Sequence, residues 1–271
     1  MIKALFIDAG HGLGPTGAID NGAVGNGTTE RREVVEIAQS LCDMLKADPA
    51  FTGIQIIKVG VDDRMMLRDH IKQINDLCTE NHWTAADTLM VSIHLNAASD
   101  PAARGIEAWY SPTEPRMLDF AKLLTEQVSA TTGIPLRSKS TLITAENRWG
   151  RLGIIDDTIA NGCLIEAGFI TNEFDAKFFT DNALQAKVVD GLSRAIRMFM
   201  AFPPITGTGI PPSFYRDVPV TAWYRGDVEL CLREGLFQMP PDGLFHPERP
   251  VTRAEVAAIL ARHLEHHHGM Q

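Results

Sequence analysis

Two histidines and a few glutamates carry most of the chemistry-bearing signal in this 271-residue chain. His11 follows the run Phe6-Ile7-Asp8, His94 follows Val91-Ser92-Ile93, and Glu166 closes Cys163-Leu164-Ile165. Each stands at the carboxyl end of an expected strand, where open α/β sheets bind their ligands. Ending a buried strand on an ionisable group is costly unless that group is satisfied or used. One such histidine alone would read as a hydrogen-bonded structural residue, but three groups at equivalent strand ends read as a site. Glu30 opens an expected helix and shares a face with Val34 and Ile37. His11, Glu30 and His94 together offer two neutral nitrogens and one carboxylate. That is the donor set of a catalytic zinc site with its fourth position left for water. Glu33 is the rival carboxylate, and spacing alone does not choose between the two. Either would also suit a helix N-terminus on electrostatic grounds.

The elements that must position these residues alternate. Strands are expected at 3–8, 55–59, 88–93, 105–110 and 163–166. Helices are expected at 30–46, 65–78, 116–131, 172–179 and 184–199, from apolar spacing near 3.6 residues. The alternation predicts an α/β fold, a mostly parallel twisted sheet flanked by helices, over residues 1–200. The run Gly12-Leu13-Gly14-Pro15-Thr16-Gly17 has the form of a dinucleotide-binding turn. Pro15 and the Asp20-Asn21-Gly22 turn keep a helix from opening before about Thr29, so a flexible loop bordering a cleft is the better reading. Prolines 203, 204, 211 and 212 mark a linker at 201–213. A small unit at 214–271 follows, with helical patterns at 224–234 and 252–264.

Composition narrows the classes. Apolar residues make up 45% and charged residues 22%, a globular balance. A net charge of −9 disfavours nucleic acid as a partner. No apolar run reaches the ~18–20 residues of a membrane span. The four cysteines (Cys42, Cys78, Cys163, Cys231) are far apart and read as free thiols. The N-terminus lacks a signal-peptide pattern, so synthesis in the cytoplasm is expected.

Five motifs in order now carry a resemblance. They are Asp8-Ala9-Gly10-His11-Gly12, Glu30 at a helix start, Ser92-Ile93-His94-Leu95-Asn96-Ala97, Gly105-Ile106-Glu107-Ala108-Trp109-Tyr110 and Leu164-Ile165-Glu166-Ala167-Gly168-Phe169. Over about residues 2–200 the set resembles the zinc-dependent N-acetylmuramoyl-L-alanine amidases of the amidase 3 type. The resemblance implies one zinc ion held by His11, Glu30 and His94, with Glu166 catalytic, and alignment along the helix favours Glu30 over Glu33. It implies peptidoglycan as substrate, with Asn96 and Arg151 as candidate contacts to it. The chain departs from the family at Ile154-Ile155-Asp156, where Val-Leu-Arg is frequent, and at Asn161, where proline is frequent. Arg151 or Arg148 stands near enough in sequence to compensate for the missing arginine.

The tail resembles a single S-layer homology (SLH) repeat, most specifically in Val251-Thr252-Arg253-Ala254-Glu255. This implies a cell-wall-binding or oligomerisation role, with secondary cell-wall polysaccharide as partner and Trp223 and Arg253 as binding candidates. Thr252 and Glu255 also fit a helix capping box. His266-His267-His268 reads as a native tail with no metal role. The expected function is hydrolysis of the amide between N-acetylmuramic acid and L-alanine. Without a leader the expected setting is a phage endolysin acting after host lysis. The alternatives are a bacterial autolysin or mother-cell lytic amidase and, from another class, a non-catalytic wall-binding protein.

Overall fold

The computed structural model describes residues 2–14, 16–60, 65–148 and 150–201, and then 217, 228, 231 and 245–268. The chain divides into two compact units, Met1–Met200 and Ala201–Gln271.

The first unit is an α/β domain. Strand β1 (Ala4–Ala9) is wholly buried and is an interior strand of the sheet. Two small hairpins follow it, β2–β3 (Gly12–Leu13 with Ile19–Asp20) and β4–β5 (Val24–Gly25 with Thr28–Thr29). Next come α1 (Glu30–Ala47), β6 (Gln55–Val59), α2 (Leu67–Glu80), β7 (Thr88–Asn96), β8 (Ile106–Tyr110) and α3 (Arg116–Thr132). Then follow β9 (Leu136–Ile143), the short α4 (Gly153–Asp156), β10 (Gly162–Phe169), α5 (Glu173–Thr180) and α6 (Asn182–Ala201). The six-stranded sheet has the order β6-β1-β7-β10-β8-β9. All its pairings are parallel except β10 with β8. The expected mixed α/β architecture with a mostly parallel sheet is therefore present.

Helix α1 forms because Val34, Ile37, Ala38, Leu41 and Leu45 line one face and vanish into the core. Each such aliphatic side chain contributes roughly 1.5–3 kcal/mol by leaving water. Thr29 caps the helix by accepting from the Arg32 amide. That core also takes in α3 and α6, through residues such as Phe120, Leu124, Leu192 and Ile196. A separate core joins Phe6, Val59 and Met90 to Ile74 of α2 and to Ile154 and Ile155 of α4.

Three differences from the expected elements matter. No element is expected over 136–143, where the structure has strand β9; its sequence, with Arg137 and Lys139 among small polar residues, suits a sheet edge. His94 and Glu166 lie inside their strands, since Leu95 and Ala167 are buried and the strands run on to Asn96 and Phe169. Asp156 caps its own short helix: its carboxylate accepts from the Leu152 amide at 2.7 Å and from the Thr144 hydroxyl at 3.0 Å.

In the second unit, helix α7 (Arg253–His268) starts from a capping box. The Thr252 amide donates to Glu255 Oε2 at 2.7 Å, and the Glu255 amide donates to Thr252 Oγ1 at 3.2 Å. The Asp217 carboxylate accepts from the amides of Phe245 and His246. Trp223 and most of the helix expected at 224–234 lie outside the described residues, apart from Val228 and Cys231, both helical. No described helix is long and apolar enough to cross a membrane. All four cysteines are free thiols.

Candidate metal centre and active site

Three segments converge at the end of the central strands. The chain leaves β1 through Gly10 and turns at His11, whose φ of 68° is left-handed. That conformation costs a non-glycine residue roughly 1–2 kcal/mol, so something must hold it. Arg31 does. Its buried guanidinium donates to the carbonyls of Ala9, Gly10 and His11 at 3.2–3.4 Å and to that of Gly60 at 2.9 Å.

His11 Nε2 lies 3.0 Å from Glu30 Oε2, and His11 Nδ1 lies 3.1 Å from Asp20 Oδ2. His94 Nδ1 lies 3.0 Å from Glu30 Oε1. Glu30 is buried at the first position of α1 and also accepts from the amides of Ala23 and Leu95, each at 2.9 Å. One donor atom from each of His11, Glu30 and His94 falls within 4.8 Å of the others. Burial alone would raise the Glu30 carboxyl, but hydrogen bonds from the two histidines overrule it and hold it far below the usual carboxylate range. Burial alone would lower His94, yet the same carboxylate lifts it to about 9.

The donors fit a zinc ion. Tetrahedral Zn–N and Zn–O bonds of about 2.0–2.1 Å set donors about 3.3 Å apart, close to the 3.0 Å contacts made by Glu30. Two glycines leave the room. A Cβ on Gly22 would sit 2.5 Å from both Glu30 Oε2 and His11 Nε2, and one on Gly10 would sit 2.4 Å from the His94 ring. Glu33, the rival carboxylate, points elsewhere and accepts from the Thr28 hydroxyl.

Glu166 pairs across the sheet with His94 on one side and with Glu107 on the other. Its Oε2 is buried and has no hydrogen-bond partner. Burial pushes its carboxyl up to about 7; the histidines oppose this, while Glu30 and Glu107 reinforce it. Asn96, a candidate substrate contact, donates to Glu107 Oε1 at 2.8 Å. Glu107 Oε2 is in turn 2.6 Å from Arg137 Nε. Arg151 is exposed and pairs with Asp157, and no described contact joins it to the histidine–glutamate cluster. Arg253 is exposed at the start of α7.

Sequence reasoning gave no role to Glu107, Arg137, Arg31 or Asp20. A charged residue inside the short strand Ile106–Tyr110 was the available signal for Glu107. A second buried polar cluster also went unremarked: Asp8 lies 2.8 Å from His70 Nδ1 and accepts from the Ser92 hydroxyl at 2.6 Å.

Fold and site together define an α/β domain with a metal-compatible His–Glu–His centre beside a desolvated glutamate. Residues 5–198 match the N-acetylmuramoyl-L-alanine amidase family Amidase_3, and residues 214–257 match the S-layer homology domain. The chain belongs to that amidase family and carries an S-layer homology domain after it. It is 26% identical over 189 residues to the N-acetylmuramoyl-L-alanine amidase LytC of Bacillus subtilis (strain 168), covering 68% of this chain and 34% of that protein. It thus spans about a third of LytC. It is 25% identical over 219 residues to the germination-specific N-acetylmuramoyl-L-alanine amidase of the same organism, covering 78% of this chain and 83% of that one. Among solved structures, the catalytic domain of the amidase CwlV from Bacillus (Paenibacillus) polymyxa var. colistinus superposes with a TM-score of 0.58 at 24% identity. That match covers 73% of this chain and 98% of the CwlV domain. An N-acetylmuramoyl-L-alanine amidase from Clostridium difficile 630 gives 0.58 at 22% identity, covering 73% and 97%.

Proposed function

We propose that the first unit hydrolyses the amide joining N-acetylmuramic acid to L-alanine in peptidoglycan, using one zinc ion. The observation that carries this is the convergence of His11, Glu30 and His94 donors within 4.8 Å, next to Glu166, in a member of this family. His11, Glu30 and His94 would hold the zinc. Zinc supplies Lewis acidity to the scissile carbonyl and makes water more acidic.

The chain's own groups do the rest. Glu166 takes a proton from the attacking water through its unpartnered Oε2. A carboxyl raised to about 7 is matched to that task near neutral pH. The water oxygen bonds to the carbonyl carbon, and the C–N bond then breaks. Glu166 returns the proton to the departing nitrogen. The products are a free carboxyl on the muramic acid side chain and a free amine on alanine. Glu30 fixes both imidazoles through its two oxygens, and Arg31 fixes the turn that carries His11.

The domain limits we adopt are 1–200 for catalysis, 201–213 for a linker and 214–271 for an S-layer homology unit that binds the wall, with secondary cell-wall polysaccharide as partner. The setting we propose is lytic action at the wall as an endolysin, with an autolysin as the alternative. The relatives named above, LytC and a germination-specific amidase, favour keeping that alternative. Mass spectrometry of digested muropeptides, with metal analysis of the purified protein, tests the activity. Release of peptides bearing a free N-terminal alanine, from protein holding one zinc per chain, is the expected result. Cleavage of any other bond refutes the reading.

A further inference from the structure

Beyond the reacting centre, a line of polar side chains crosses the sheet from β10 to β9. Glu166 on β10 faces Glu107 on β8, and Glu107 reaches Arg137 on β9. The Arg137 guanidinium is fixed on two sides. Its Nε edge meets Glu107 Oε2 at 2.6 Å, and its plane lies over the Phe169 ring with 5.0 Å to the centroid. Gly105 makes room for it, because a Cβ there would sit 3.2 Å from Arg137 Cγ and 2.8 Å from the Pro135 carbonyl oxygen. The side chain remains 37% exposed, and among the described residues its only carboxylate partner is Glu107.

Neutralising Glu107 needs only the Nε edge. The rest of the planar fork is held rigid and reaches solvent, which is the arrangement that recognises a carboxylate in two-point fashion. Adjacent strands lie about 4.8 Å apart, so the fork stands on the order of 10 Å from the Glu166 carboxyl. An extended peptide advances about 3.3–3.6 Å per residue. The fork is thus within reach of the first two or three residues beyond the scissile amide.

We infer that Arg137 is a specificity-determining residue that binds a carboxylate on the substrate's peptide, at the residue following the alanine. This rests on the amidase reading above. The substrate class it selects is a muramoyl peptide with a free carboxylate at that residue, over the same peptide with a carboxamide.

The test compares two purified disaccharide peptides that differ only in a carboxylate or a carboxamide on the residue after alanine. Full-length protein loaded with zinc is assayed for kcat/KM on each. Wild type is expected to prefer the free acid by about tenfold or more, as for a charge-assisted hydrogen bond replaced by a neutral one. Arg137→Gln is expected to bring the ratio near one by losing activity on the free acid through KM. Arg137→Lys keeps the charge and the Glu107 ion pair, so it guards against a folding defect and should keep part of the preference. A wild-type ratio near one overturns the inference while leaving the amidase reading intact. So does an equal loss on both substrates in Arg137→Gln, which is what a purely structural role predicts. Failure of wild type to cleave either substrate overturns the amidase reading, and this inference with it.

Discussion

Replacing Gly22 by alanine isolates the metal cradle from the rest of the fold. The new Cβ would lie 2.5 Å from Glu30 Oε2 and 2.5 Å from His11 Nε2. Ordinary contact begins at about 3.5 Å, so the two donors must each retreat by about 1 Å. Zinc tolerates about 0.2 Å of error in its bonds. The displacement is therefore several times what the site can absorb. Zinc affinity should fall at least 10- to 100-fold, the range seen when even an outer partner of a ligand is disturbed. Gly22 also has a φ of 64°, which adds backbone strain of about 1–2 kcal/mol. Gly17→Ala is the matched control: its φ is 79°, and a Cβ there meets nothing within 4 Å. In the metal-free state Gly17→Ala should lose roughly 2–8 °C of thermal stability from backbone strain, at 2–4 °C per kcal/mol, and Gly22→Ala at least as much. Only Gly22→Ala should lose zinc, measured by calorimetric titration and by metal content after dialysis. Equal zinc affinity in the two variants would refute the assignment of this cluster as the metal centre.

Glu166→Ala should abolish turnover while the protein keeps its zinc; loss of turbidity in a cell-wall suspension together with metal analysis reads both, and an active variant removes Glu166 from the mechanism. Glu30→Ala should lose zinc, whereas Glu33→Ala should keep it and lose only about 1 kcal/mol with the Thr28 hydrogen bond. In metal-free protein, His94 has its folded pKa raised to about 9 from an ordinary 6.5. Its contribution to stability is complete below about pH 6.5 and is lost as pH rises through 9. Chemical denaturation in chelator at pH 6, 8 and 9.5 checks this, and stability that rose over that range would contradict the Glu30–His94 pairing.

Much of the fold was legible because the buried strands are almost purely apolar. Ala4–Ala9 reads as a core strand without any partner in view. Strand β9 was not legible, since an edge strand holds its place by backbone pairing and none of its side chains is fully buried. His11, His94 and Glu166 stood out because water-loving groups interrupt apolar runs. Spacing alone did not separate Glu30 from Glu33, because both side chains are buried. What separates them is three-dimensional: the amides of Ala23 and Leu95 reach Glu30, and a single hydroxyl reaches Glu33. The Glu107–Arg137 pair was hidden because its arginine lies on β9, for which the sequence offers no strand pattern.

The ordering of the site along the chain has a consequence for synthesis. His11, Glu30 and His94 are all made before Glu166, which leaves the ribosome 72 residues after His94. At about 5–20 residues per second, that interval is roughly 4–14 s. During it the nascent chain carries all three proposed metal donors but not yet the glutamate proposed to move the proton. On the proposed mechanism, hydrolytic competence therefore waits for β10 to slot between β7 and β8 in the sheet, and until then the chain is inert towards the bond it is proposed to break.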